Sequence, residues 1–371
     1  MRKYYLDNIR NITVLLVVVY HAFYIFNGVG VAGGLSPITA HRFQDIILYA
    51  LYPWFMVLLF IVSGMCSKYF LEKHTEKEYI KSRTVKLLVP STLGLFVFQW
   101  LQGYINMKIS GAFDSVQASV PLPVLYVIES LSGVGVLWFA QILWLFSILL
   151  ILVTKLEKGR LEKLCKKANI IVLILLAVPV WAAAQVLNAP VVTVYRFGIY
   201  GLSFFLGHFV FSNGSITDRL KKYCLPLDIA AIALAVAYIK VYFGGNYAEE
   251  PAVNSPLAVA YLWFACLGIL GTAKRFLNKS GKITAFLSNK CWGIYVLHYL
   301  PLSACAYALS KAAVNPALVY ALVSASGLVG SSVLYEVISR IPVLRFFVLG
   351  INNKEGKKYV RRKPDNPQKI Q

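Results

Sequence analysis

Residues 5–26 read YLDNIRNITVLLVVVYHAFYIF, an ionic cluster followed by an apolar run with one histidine, His21, inside it. On a helix at 100° per residue, the step from Arg10 to His21 closes to within about 20° of three full turns, so the two share a face about 16 Å apart. Asp7 lies about 40° off that line by the same geometry. A run of this length and apolarity is a candidate membrane span. Inside one, an imidazole near mid-depth below an ionic pair at the entrance is costly, and that cost marks Asp7, Arg10 and His21 as candidate site residues.

The rest of the chain has the same character. Of 371 residues, 58% are hydrophobic and 14% charged, and the apolar residues come in runs too long for one soluble core. The expected fold is all-α, a polytopic transmembrane helix bundle of ten spans near 11–27, 44–66, 86–106, 134–153, 169–187, 194–212, 227–243, 256–272, 290–310 and 316–338. Residues 1–345 would form the membrane body and 346–371 a basic, disordered cytoplasmic tail. Before the fourth span, the apolar stretch Leu122 to Ser132 is interrupted by Pro123 and Glu129, which fits a short interfacial or re-entrant helix. A cleaved signal peptide is the competing reading of the first span, but Asp7 is foreign to a signal n-region.

The net charge of +21 would point to nucleic acid in a soluble protein. Here its distribution argues against that partner. All but five of the 37 lysines and arginines fall in the N-terminus, in alternate loops and in the tail; the others are Arg42, Lys108, Arg196, Lys240 and Lys311. By the positive-inside rule both termini are cytoplasmic and the span number is even, in a multi-pass cell-membrane protein whose solvent is the lipid bilayer. Attraction to anionic headgroups or to an anionic cytoplasmic ligand would come in addition. No cysteine falls in an outer loop, so neither a disulfide nor a Cys-based metal site is expected.

Several later stretches carry candidate chemistry. Span two, DIILYALYPWFMVLLFIVSGMC, reaches Ser63 and Gly64 near its inner end. Lys81, Arg83 and Lys86 follow, just before Pro90. They read either as a topogenic anchor reaching the headgroups or as a cytoplasmic phosphate site. No P-loop or GxGxxG motif is present, which argues against a nucleotide-hydrolysing engine. Trp138 sits in an aromatic outer half of span four, as interfacial belt or as ligand contact. Arg196 opens span six and reads as a snorkelling boundary residue. Spans seven and eight read as scaffold. In span nine, SNKCWGIYVLHYLP, Trp292, Tyr295 and His298 form a ridge at helical spacing. His298 lies about 12 Å into its span, close to the depth of His21, so the two histidines could face each other or each bond a neighbouring carbonyl. Glu336 and Arg340 are spaced for a boundary ion pair.

Taken in order, these pieces resemble acyltransferase family 3, a family of polytopic membrane acyltransferases. The resemblance rests on Arg10 and His21 within LDNIRNITVLLVVVYH, the Phe-rich PWFMVLLFIVSGM, the basic KSRTVKLLVP, the Leu-Trp-Phe at 137–139 and the late GIYVLH. The YYLDNIR opening is most similar to glucan-succinylating members. Where the family usually carries two arginines three apart, this chain has Arg83 and Lys86, which keeps the charge and loses one bidentate fork. The resemblance implies a membrane O-acyltransferase moving an acetyl- or succinyl-class group from cytoplasmic acyl-CoA to a hydroxyl of a cell-surface or periplasmic carbohydrate, with no permanently bound cofactor. It implies His21 as general base or acyl acceptor, with Asp7 holding Arg10. Arg10, Arg83 and Lys86 would bind the donor's phosphates, Ser63 and Gly64 would permit close approach, and Trp138, Tyr295 and His298 would orient the acceptor. The rival reading is a transporter or flippase for a lipid-linked or acylated sugar, with the two histidines as a proton relay.

Overall fold

The computed structural model describes residues 3–39, 42–166, 168–189, 194–312 and 314–352. Among these the architecture is helical, and seven helices are long and apolar enough to cross a membrane. They are α1 (Tyr4–Tyr24), α2 (Phe43–Leu71), α3 (Glu76–Ile109), α5 (Gly135–Glu157), α8 (Cys224–Tyr242), α9 (Pro256–Phe276) and α12 (Pro316–Arg340). Between them lie the shorter apolar helices α4 (Leu122–Ser132), α6 (Ile170–Ala184), α7 (Phe197–Phe211) and α11 (Tyr299–Leu309). α10 (Lys282–Leu297) precedes α11, and α13 (Pro342–Leu349) closes the described chain. All ten expected spans coincide with helical segments, but three of them differ from the expectation in form. The segments near 169–187 and 194–212 are short, and the ninth is interrupted at His298, between α10 and α11. The helix foreseen before the fourth span is α4.

Burial explains which helices form the centre. α1 packs against α2, α9, α10 and α12, and its side chains Ile9, Val14, Val17, Val18 and Ala22 are all buried. α8 instead turns Ile229, Ile232, Val236 and Val241 outward. Such apolar exposure on a helix whose backbone groups are internally satisfied suits lipid. Polar side chains fix the N-terminal end of α1: Asn8 donates to the carbonyls of Leu277 and Lys279 (2.6 and 2.9 Å). Asn11 donates to Ser288 Oγ (2.8 Å). These bonds join α1 to α10 and to the turn before it, and so set the register between α1, which carries His21, and α10, which ends at His298.

The helix pair α2–α7 is held close by two glycines. A Cβ on Gly64 would stand 2.0 Å from the carbonyl oxygen of Phe204, and one on Gly207 would stand 2.1 Å from that of Ile61. Gly64 is therefore a packing residue at a helix crossing; it does not line a ligand cavity, which corrects the role expected of it. α3 is irregular where the chain needs Pro90, with π-helical turns at Thr84–Leu88 and Leu95–Gln99. Wide turns of this kind re-aim side chains and recur at functional sites.

Three other expectations change. Residues 346–349 belong to α13, and Val348 and Leu349 are buried, so the packed body extends past the boundary expected at 345; residues 353–371 lie outside the described residues. Glu336 pairs with Lys290 of α10 instead of Arg340. Asp228, in the span read as scaffold, accepts a hydrogen bond from Thr272 Oγ1 and joins α8 to α9. Gly207→Val, which forces α2 and α7 apart, should cost about 1–3 kcal/mol of stability. It would appear as a lower thermal midpoint of the purified protein in detergent, and an unchanged midpoint would refute the close crossing.

Candidate active site

Near the N-terminal end of α1 is a cavity of about 620 Å³ whose walls include Arg10, Ser63, Arg83, Lys86 and Tyr295. Each of these was a candidate from sequence. Asp7 holds Arg10 through an Oδ1–guanidinium contact of 2.9 Å. Arg83 is positioned by the hydroxyl of Ser67 (3.4 Å) and by the face of Tyr79, 5.0 Å from its ring centroid. Lys86 sits on the first π-helical turn of α3. Three cations therefore converge on one cavity, one of them held by Asp7, and a concentration of positive charge of this kind suits an oligoanionic ligand.

Sequence reasoning missed the rest of the wall. Cys66 and Cys291 both line the cavity, and the Cys291 thiol lies 3.8 Å from the Arg10 carbonyl oxygen. Trp292 lines it too, stacks on Tyr295 (5.8 Å between centroids) and donates its indole N–H to the carbonyl of Leu349 (3.2 Å). α13 thus closes one side of the cavity, with Leu349 and Ile351 in the wall. Gly350 makes this possible at a left-handed φ of 63°, where a Cβ would stand 2.4 Å from the Val85 carbonyl. Gly64, His21, His298 and Trp138 are outside this wall.

The two histidines meet beyond it. Their rings are 5.1 Å apart between centroids, and His298 Nε2 lies 3.3 Å from His21 Nδ1. The surrounding carbonyls decide where the protons sit, because a carbonyl can only accept. His298 Nδ1 is 2.8 Å from the Tyr295 carbonyl and 3.2 Å from that of Ile294, so it carries the proton and its Nε2 is an acceptor. His21 Nδ1 is 2.8 Å from the Val17 carbonyl, so it donates, shared between that oxygen and His298 Nε2. His21 Nε2 is left with its lone pair and with no hydrogen bond among the described residues. That is the tautomer of a base with a fixed ring and a free basic nitrogen. The break between α10 and α11 at His298 is part of this arrangement, since Pro301 follows three residues later and has no N–H to give the Leu297 carbonyl.

Aromatic rings enclose the pair. Tyr20, Tyr24 and Tyr299 stand edge-on to His21 at 5.2, 5.8 and 5.1 Å. Tyr20 shares a hydrogen bond of 3.1 Å with the Tyr247 hydroxyl. Tyr247, in the loop after α8, is fully buried, and burial holds its phenol well above the usual range, so it stays neutral. Tyr295 is the link between cavity and histidines: it lines the cavity, donates to the Val136 carbonyl (2.6 Å) and accepts through its own carbonyl from His298.

Trp138 packs on Tyr200 (5.4 Å) and Tyr195 (6.2 Å). Arg196 is 4% exposed, so it is a buried residue and not the snorkelling one expected from sequence. Among the described residues, no group of three or more His, Cys, Asp or Glu side chains is placed to hold a metal ion.

A basic cavity on the same helix as an imidazole with a free basic nitrogen, joined to the histidine pair through Tyr295, is a layout suited to group transfer. A family model described as the acyltransferase domain matches residues 3–336. The chain belongs to this acyltransferase family. It is accordingly a multi-pass membrane acyltransferase, and the group it transfers is an acyl group other than an aminoacyl group. Comparison with curated proteins and with solved structures gives no match. For this acyltransferase, nitrogen NMR of histidine-labelled protein, assigned with His21→Gln and His298→Gln, should show both residues as the neutral Nδ1–H tautomer. A dominant Nε2–H signal for His21 would overturn the proton placement.

Proposed function

We infer that the chain transfers a short acyl group, of the acetyl or succinyl class, from cytoplasmic acyl-CoA to a hydroxyl of a cell-surface or periplasmic carbohydrate such as a glucan. The observation that carries this reading is the line from the three cations of the cavity, past Tyr295, to His21. Arg10, Arg83 and Lys86 suit the phosphates of the donor, with Ser63 beside them. The pantetheine arm would run along α1 toward His21, a rise of about 16 Å from Arg10. In the resulting orientation both termini are cytoplasmic and the cavity opens to the cytoplasm, where the acyl-CoA is.

In the transfer itself the acceptor hydroxyl oxygen attacks the thioester carbonyl as His21 Nε2 takes the hydroxyl proton. A C–O bond forms, the C–S bond breaks, and the same proton passes from His21 to the departing thiolate, giving ester and free thiol. His298 accepts the Nδ1–H of His21 and so keeps its basic nitrogen turned to the reactants; the imidazolium that forms briefly is stabilised by the Val17 carbonyl and by His298 Nε2. His298 acts here as a positioning residue. Asp7 fixes Arg10 at the donor end, and Trp138 and Tyr295, the latter in the cavity wall, orient the acceptor toward the acyl group. The tyrosine cage excludes water, which would otherwise hydrolyse the thioester.

The purified protein with acyl-CoA should release free thiol in step with ester formation, which a transporter or flippase need not do. His21→Gln should lower kcat about 10²–10⁴-fold while coenzyme A binding persists. Arg83→Ala should instead raise KM for the donor with a smaller effect on kcat. Undiminished thiol release by His21→Gln would remove His21 from the chemistry.

A further inference from the structure

Arg196 is a buried cation that the transfer chemistry leaves unused. It is the N-cap residue of Phe197–Leu206, the first part of α7, and only 4% of it is exposed. One Nη donates to the Val253 carbonyl at 3.1 Å. Its Nε has no hydrogen-bond partner, and no carboxylate among the described residues lies within ion-pair distance. The loop acid Glu250 accepts from Asn254 at 2.7 Å and makes no ion pair with Arg196 among the described residues. A buried guanidinium without a counter-ion is expensive, so such residues mark ligand sites more often than packing. The positive end of α7 adds to the same field.

The surroundings point to the same missing partner. The Tyr52 hydroxyl is buried and also has no hydrogen-bond partner, and Arg196 is close enough for its charge to act on the hydroxyls of Tyr52 and Tyr200. Tyr52 stacks on Tyr20 at 6.1 Å, and Tyr20 is edge-on to His21 at 5.2 Å. From the other direction, Phe139 in the wall of the basic cavity packs on Phe60 (4.8 Å), which stacks on Tyr200 (4.7 Å). The unpaired hydroxyl thus lies one ring from the base, and two rings, Phe60 and Tyr200, separate the neighbourhood of the unpaired cation from the wall of the donor cavity.

We propose that Arg196, with the Tyr52 hydroxyl, binds a carboxylate carried by one of the two reactants beside the reaction centre. The guanidinium Nε–H and the phenol O–H would donate to its oxygens and supply the counter-charge that the fold omits. The carboxylate is either the free end of a dicarboxylic acyl group or part of an acidic sugar acceptor. This deepens the acyl-CoA-to-carbohydrate reading and rests on it for the identity of the two reactants.

Binding to the full-length protein in detergent separates these sources. One arm compares succinyl-CoA with acetyl-CoA, the other glucuronate with glucose, and coenzyme A alone reports on the donor cavity. In one arm the charged member should bind at least about tenfold tighter. Arg196→Met should abolish that preference while coenzyme A binding is unchanged, Arg196→Lys should restore part of it, and Tyr52→Phe, which removes a single oxygen, should weaken it if Arg196→Met does not fold. A preference in the first arm assigns the carboxylate to the acyl group, and one in the second assigns it to the acceptor. No Arg196-dependent preference in either arm overturns the proposal, whereas loss of coenzyme A binding in the unmodified protein strikes only the donor reading.

Discussion

Two imidazoles buried between apolar helices must find all their hydrogen-bond partners inside the bundle, and the fold is arranged around that requirement. His298 can accept from His21 only because α1 and α10 are in register, and that register is held by Asn8 binding the turn before α10 and Asn11 binding Ser288 within it. The carbonyls of Val17, Ile294 and Tyr295 then leave one choice of proton positions. With the second histidine opposite, His21 keeps a neutral ring, a fixed plane and one free lone pair.

The same axis orders the other polar groups. At the N-terminal end of α1 is a cavity with three cations, and Asp7 and Tyr79 hold two of them in place. In the middle are the histidines inside a tyrosine cage. Beyond them, against α7 and the loop after α8, lies Arg196 with the orphaned Tyr52 hydroxyl. In the proposed reading, phosphate, reacting carbonyl and a second anionic group would each have a separate place, with Arg10 and His21 on one helix linking recognition to chemistry. Tyr295 matters to this arrangement because its side chain lines the cavity while its carbonyl orients His298.

Much of this was legible in the sequence because membrane helices obey strong local rules. Hydropathy placed the ten segments, helical spacing put Arg10 and His21 on one face, and equal depth paired His21 with His298. What failed was whatever depended on partners distant in the chain. Arg196 reads as a boundary residue because it opens an apolar helix; its burial comes from the loop around Val253, which no local pattern announces. A missed signal was its company, Tyr195 before it and Tyr200 one turn on, with no acid nearby. Gly64 looked like room for a ligand, yet the space is filled by the backbone of α7. Glu336 and Arg340 had ideal spacing, but Lys290 on a neighbouring helix takes the carboxylate. The residues after 345 read as tail by their charge, although α13 packs them against the cavity.

The central claim is spatial: one continuous path joins the cations of the cavity to the free nitrogen of His21. An experimental structure with a non-transferable acyl-CoA analogue, in which a ketone replaces the thioester, tests it directly. The account predicts phosphates on Arg10, Arg83 and Lys86 and the ketone carbon beside His21 Nε2. An analogue bound with its carbonyl remote from His21, or with its phosphates away from those cations, would contradict it.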